Sequence, residues 1–174
     1  MPTDVAVSFR SLAREDFPNI QRWLRTQHVG RWWRDPSDLD SIEAHYGPCI
    51  DRTDPTRVYI IGLDARDIGL IQSYRWVSSP AQAEALGIDV NDAGLDFFVG
   101  EADLVGRGLG SEILRAFIGQ LLFADWTIGG VTVEPEVENT ASLRAFEKAG
   151  FKPIARKRLA DETSDRQVMR LARG

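Results

Sequence analysis

Cysteine is almost absent: the 174 residues contain one, Cys49, so no internal disulfide can form. Histidine is nearly as scarce. With only His28 and His45 beside that single thiol, a structural zinc site lacks ligands, and no metal is expected. His45 and Cys49 lie four apart in a helical stretch, where a Cys–His catalytic pair is conceivable; packing is the other role open to a lone thiol. No run of eighteen apolar residues occurs, which argues against a transmembrane helix and any membrane partner. Met1-Pro2-Thr3-Asp4 carries neither the basic nor the apolar region of a secretion signal, so a cytoplasmic protein is expected. Positive charge is missing from a whole interval. Between Arg75 and Arg107 there is no Lys or Arg, while Glu84, Asp89, Asp92, Asp96, Glu101 and Asp103 all fall there. An acidic middle is unsuited to nucleic acid. It would suit a cationic small molecule, or it is a solvated acidic loop.

What is present is ordinary for a globular chain: 43% hydrophobic and 27% charged residues, with a net charge of −5. The length suits one domain spanning 1–174, with no repeat, low-complexity tract or linker. Val5, Val7 and Phe9 alternate as a first strand, and Phe17, Ile20, Trp23 and Leu24 recur at helical spacing with Pro18 in the first turn. His28 to Pro36 reads as a loop holding the adjacent Trp32 and Trp33; one of these lines a pocket, or both pack against helices. A second helix opens at Asp35-Pro36-Ser37 and runs through Leu39, Ile42 and Tyr46. Segments 58–63 and 68–74 form a hairpin across a polar link at 64–67. Residues 78–94, with Pro80, Gly87 and Gly94, read as the longest irregular stretch. Strands follow at 95–99 and 130–133, helices at 109–123 and 140–150, and a closing antiparallel pair at 151–158 and 167–171. Strands and helices mixed around one sheet make an α+β or α/β domain.

The densest signal is Leu104-Val105-Gly106-Arg107-Gly108-Leu109-Gly110-Ser111, a glycine loop between a strand and an amphipathic helix. Unpaired N–H groups and the dipole at a helix N-terminus favour an anion, so the loop is a candidate phosphate cradle with Arg107 beside it. A tight strand–helix turn with no ligand is the alternative. The spacing is neither that of a dinucleotide fold nor that of a P-loop.

A second block, Glu134 to Asn139 and then Leu143-Arg144-Ala145-Phe146-Glu147-Lys148-Ala149-Gly150-Phe151, follows another strand. The two blocks together resemble the acetyl-CoA-binding signature of the GNAT superfamily of N-acetyltransferases. The likeness extends over nearly the whole chain to the aminoglycoside 6'-N-acetyltransferases, through His28-Val29-x-x-Trp32-Trp33, Ile71-Gln72-Ser73-Tyr74 and Gly94-Leu95-Asp96. It implies a single-domain GNAT fold, mixed α/β, with a central, mostly antiparallel sheet flanked by helices. It implies acetyl-CoA as cosubstrate and a cationic small-molecule amine as partner, in a monomer or homodimer. Loop amides of Arg107, Gly108, Leu109, Gly110 and Ser111 would hold the pyrophosphate. Backbone at Phe98 and Val99 would meet the pantetheine arm, and Asn139 would contact it. Asp96 matches the base proposed to act on the amine; the plainer role for a strand-end carboxylate is to cap a turn. Trp32, Tyr46, Asp89 and Glu134 would contact substrate, with packing equally open for Trp32 and Tyr46. Related acyltransferases of siderophore synthesis commonly carry a histidine near the Asp96 position, and neither histidine here lies near it. Two departures stand out. Val105 replaces the usual polar residue that opens the glycine motif. Phe146 replaces the tyrosine often proposed to protonate the departing thiolate, leaving that step to water, another group or no proton at all. An acyltransferase for a siderophore lysine, a polyamine or a protein N-terminus is the alternative enzyme, and a non-catalytic acyl-CoA-binding regulator the alternative of another class.

Overall fold

The structure, a computed structural model, describes residues 6–174. Val5, the predicted start of the first strand, and the four residues before it lie outside the described residues. The strands are β1 (Val7–Ser11), β2 (Arg57–Leu63), β3 (Arg66–Arg75), β4 (Ala93–Val99), β5 (Gly130–Val133), β6 (Lys152–Lys157) and β7 (Arg166–Ala172). They form one sheet in the order β1-β2-β3-β4-β5-β7-β6. Pairings β1–β2, β5–β7 and β6–β7 are antiparallel, and β4–β5 is parallel. This is the mixed, mostly antiparallel architecture that the sequence pattern and the resemblance predict. The helices are α1 (Phe17–Leu24), α2 (Gln27–Gly30), α3 (Leu39–Ile50), α4 (Pro80–Leu86), α5 (Leu109–Phe117) and α6 (Thr140–Lys148).

The chain divides into two compact units. The first holds the described residues up to Gln72 together with Phe97–Arg107. Its core gathers Ile20 and Trp23 of α1, Ile42 and Tyr46 of α3, Ile60 of β2, Leu70 of β3 and Phe98 of β4. Each large apolar side chain buried there contributes about 1.5–3 kcal/mol. The second unit holds Ser73–Asp96 and Gly108–Gly174. Trp76, Ala83, Leu86, Ile88 and Val168 form a core cluster in it, with Tyr74 against them.

Local chemistry explains the boundaries. α3 starts later than the Asp35-Pro36-Ser37 signal predicts, because Asp38 is its cap: the carboxylate accepts from the Ser41 N–H at 2.8 Å. The β2–β3 turn is shorter than the predicted link. Asp64 (φ 48°) and Ala65 (φ 71°) make a two-residue turn with positive φ at both positions, the conformation that matches strand twist. Residues 78–94 are not irregular throughout, since they contain α4. Pro80 stands in its first turn and Gly87, at φ 70°, is its left-handed cap. The two residues that suggest broken structure thus bracket a helix, and Ala83 and Leu86 anchor it. α5 continues through a π-helical turn at Ile118–Leu122, where the helical pattern extends past Phe117. In β6, Pro153 faces Met169 and Ala155 faces Val168, so Ile154 is bulged out of register and half-exposed.

Candidate active site

β4 and β5 run parallel but pair at one register only, Ala93 with Val131. A part-buried ion pair in the second unit clamps that point. Asp92 is fully buried, and its carboxylate accepts from Arg170 Nε at 2.7 Å, Arg170 Nη2 at 2.9 Å and Thr132 Oγ1 at 2.6 Å. Thr132 and Arg170 are themselves cross-strand partners on β5 and β7. Three strands are therefore tied where β4 and β5 begin to part.

Past the clamp stand two carboxylates, Asp96 on β4 and Glu134 just after β5. Asp96 accepts a hydrogen bond from the Tyr74 hydroxyl, and its charge acts on Glu134. Burial pushes Glu134 up to about 7; Arg166 opposes this, while Asp96, Glu162 and Glu136 add to it. Arg166 binds the Glu134 carboxylate at 3.1 Å and is held in turn by Glu162, with Nε to Oε2 at 2.9 Å. Burial first, then Asp96 and Glu134, keep the Tyr74 phenol far above its ordinary value. The site thus joins two coupled carboxylates, one permanently protonated phenol and one shared guanidinium. Such a group can bind a cation and accept a proton.

Within the first unit, Phe98 is buried, edge-on to Trp23 at 6.0 Å and to Trp33 at 4.9 Å between centroids. His28 Nε2 lies 3.0 Å from the Val99 carbonyl oxygen. The adjacent tryptophans diverge: Trp33 packs on the core with its Nε1 donating to Asp35 at 2.7 Å, and half-buried Trp32 lies under Arg31, 4.8 Å from Cζ to the centroid. Tyr46 is 1% exposed and sits in the core, edge-on to His45. Cys49 points its thiol at the His45 carbonyl, 3.8 Å away, and not at the ring; burial and Asp54 push the thiol up. The Cys–His pair is not formed. Glu101, with a side chain only 12% exposed, takes hydrogen bonds from Arg22 and Trp23 and pairs with Arg66. The Arg22 hydrogen bond chiefly holds it down to about 2. Arg66 also pairs with Asp103, so the chain entering the glycine loop is anchored by charge.

Gly106 and Gly108 both adopt φ 77°, and a Cβ at either would meet open space. The loop is shaped by conformation alone, with its concavity left free. Gly108 caps α5, and the Ser111 hydroxyl donates to the Gly108 carbonyl at 3.3 Å. The N–H groups opening α5 are left without intrahelical acceptors. Asn139 caps α6, its Oδ1 accepting from the Ser142 N–H at 3.2 Å. Phe146 is buried on α6, edge-on to Phe151 at 5.1 Å.

The structure brings Asp96 and Glu134 together. Asp89 is elsewhere: it accepts from the Asn91 N–H at 2.9 Å and acts on Arg170. The acidic interval is also less available than its composition suggests, because Asp92, Glu101 and Asp103 bind arginines from outside it. Sequence reasoning gave no role to Tyr74, although it closes the quoted Gln72-Ser73-Tyr74 run. Arg166 and Glu162 lie between the two segments read as the closing antiparallel pair, and nothing local links Glu101 to Arg22 or Arg66. Among the described residues no group of three or more His, Cys, Asp or Glu side chains is placed to hold a metal, and no helix is long and apolar enough to cross a membrane.

Known proteins match this arrangement. The acetyltransferase (GNAT) domain model matches residues 13–159. Aminoglycoside N(6')-acetyltransferase type 1 of Klebsiella pneumoniae is 28% identical over 149 residues, which cover 84% of this chain and 74% of the relative. A kanamycin resistance protein of Rhizobium radiobacter is 36% identical over 82 residues, 47% of this chain and 68% of that protein. The crystal structure of aminoglycoside acetyltransferase AAC(6')-Ib with coenzyme A and kanamycin superposes with a TM-score of 0.81 at 27% identity, covering 97% of this chain and 95% of that one. Sheet order, glycine loop and family match agree: the chain belongs to the GNAT acetyltransferase family and is an acyltransferase.

Proposed function

We propose that this protein transfers an acetyl group from acetyl-CoA to the 6'-amine of an aminoglycoside-like cation, with Asp96 orienting the amine and accepting its proton. The observation that carries the reading is the Asp96–Glu134 carboxylate pair past the single β4–β5 pairing. The relatives that act on aminoglycosides support the substrate class.

Acetyl-CoA supplies the activated acetyl group. Amides of residues 107–111 would hold its pyrophosphate, and the positive φ of Gly106 and Gly108 with open space around them fits such a cradle. Backbone at Phe98 and Val99 would meet the pantetheine arm. An alkylammonium must lose a proton before it can attack. Asp96 binds the ammonium, aligns it and takes that proton directly or through water. Glu134, once ionised, would meet a second ammonium of the same molecule. With Phe146 in place of a tyrosine, the thiolate leaves to water or unprotonated; a thiol's ordinary value only modestly above neutral makes this tolerable.

The test is thiol release from acetyl-CoA with kanamycin, tobramycin, spermidine and hydroxylysine as acceptors. Turnover is expected with the aminoglycosides, and mass spectrometry should place the acetyl group on the 6'-nitrogen. Turnover with spermidine or hydroxylysine alone would move the enzyme to another amine. Acetyl-CoA binding without turnover on a broad amine panel would make it a regulator.

A further inference from the structure

We infer that Tyr74 is a positioning residue for Asp96, holding its carboxylate in place for the amine; the inference rests on the role of Asp96 proposed above. Tyr74 lies on β3 and Asp96 on the neighbouring strand β4. The ring of Tyr74 fills a slot that exists only because residue 94 is glycine. A Cβ at Gly94 would fall 2.3 Å from Cε2, 2.6 Å from Cζ and 2.9 Å from the hydroxyl oxygen. Trp76 closes the slot edge-on at 5.4 Å, and it is itself pinned, its Nε1 donating to the Thr132 carbonyl at 3.1 Å. A ring held on two sides cannot swing, so its hydroxyl has one direction in which to point, and that direction is the Asp96 carboxylate.

The chemistry makes this hydrogen bond one-way. The buried phenol keeps its proton throughout the working range, so Tyr74 always donates and Asp96 always accepts. The carboxylate is thereby tied to a donor that does not change with pH. Glu134 and Arg166 also act on the Tyr74 hydroxyl, and Glu162 and Glu136 act on Glu134. A fixed donor favours the charged form of the carboxylate that it meets.

Tyr74→Phe tests the inference, because the ring and its slot are kept and only the hydroxyl is lost. The Asp96 carboxyl carbon, followed by NMR on labelled protein, should titrate at higher pH in Tyr74→Phe than in wild type. Turnover on the aminoglycoside should fall about tenfold or more through misalignment, with the KM for acetyl-CoA unchanged and the acid limb of kcat/KM moved upward. In an Asp96→Asn background the same change should cost nothing further, since the two act as a unit. An unmoved Asp96 titration, or a wild-type pH profile and rate in Tyr74→Phe, overturns the positioning role. So does a loss that adds fully to that of Asp96→Asn. If Asp96→Asn itself turns over at the wild-type rate, the proposed base fails instead, and the two failures are told apart.

Discussion

At the scale of single residues, the site depends on carboxylates that differ sharply in their surroundings. Asp96→Asn keeps the shape and removes the proton acceptor. It is expected to leave the fold and acetyl-CoA binding intact and to lower kcat by roughly 10²–10⁴-fold; near-wild-type turnover would exclude Asp96 from the chemistry. Glu134 makes a separate prediction about stability. Its carboxyl is raised from an ordinary 4.5 to about 7, so the folded state holds a proton that the unfolded chain gives up earlier. Below pH 4.5 the group is neutral in both states and its charge costs nothing. As pH rises towards 7 the unfolded chain ionises first and stability falls, with the full loss reached above 7. Glu134→Gln should therefore gain thermal stability relative to wild type at pH 8, and that advantage should vanish by pH 4.5. An advantage that is constant with pH would show that Glu134 is not held protonated by its burial.

Elements decide where these residues stand, and they were unequally legible. The amphipathic spacing of Phe17, Ile20, Trp23 and Leu24 reports a helix because burial of one face repeats every turn. The runs of β-branched residues in β2 and β5 report strands because such side chains pack well on a pleated sheet. α4 was hidden: Pro80 and Gly87 carry the same signal whether they break structure or bound a short helix, and only the packing of Ala83 and Leu86 decides. The Asp92–Arg170–Thr132 clamp was equally silent, since its partners are joined by strand pairing and not by spacing. Removing Asp92 leaves the Arg170 guanidinium facing a buried gap. Asp92→Ala should cost about 1.5–3 kcal/mol, as losing hydrogen bonds to a charged group does, measured by urea unfolding; a loss below 1 kcal/mol would mean that the clamp is not what ties these strands. The glycine loop offers a sharper contrast. Gly108 needs φ 77°, which a branched residue resists, yet no neighbour would clash. Gly108→Val should therefore weaken acetyl-CoA binding at least tenfold through conformation, and calorimetry showing wild-type affinity would remove the loop from the cofactor site.

For the whole molecule, charge arrangement matters more than the net −5. Arginines from distant parts of the chain neutralise Asp92, Glu101 and Asp103, so the acidic interval attracts a cation less than its composition suggests. Attraction between the site carboxylates and a multiply charged aminoglycoside is screened over a Debye length of about 10 Å at 0.1 M salt. The KM for the aminoglycoside should rise with ionic strength, more steeply at pH 8 than at pH 6 because Glu134 ionises between them. Glu134→Gln should flatten that dependence, and Asp89→Asn should do so less because Arg170 already faces it. A KM indifferent to salt would reject the polycation. The outer strand β6 governs a different behaviour, that of many copies together. Sheet edges invite further strands, and proteins that remain dispersed blunt them. Pro153 has no N–H to offer, Ile154 is thrown out of register, and Lys152 and Lys157 set like charges along the rim. Two such edges that meet in a concentrated solution find a missing donor and mutual repulsion. The irregularity that spoils β6 as a strand also makes it a poor template for a strand from another copy.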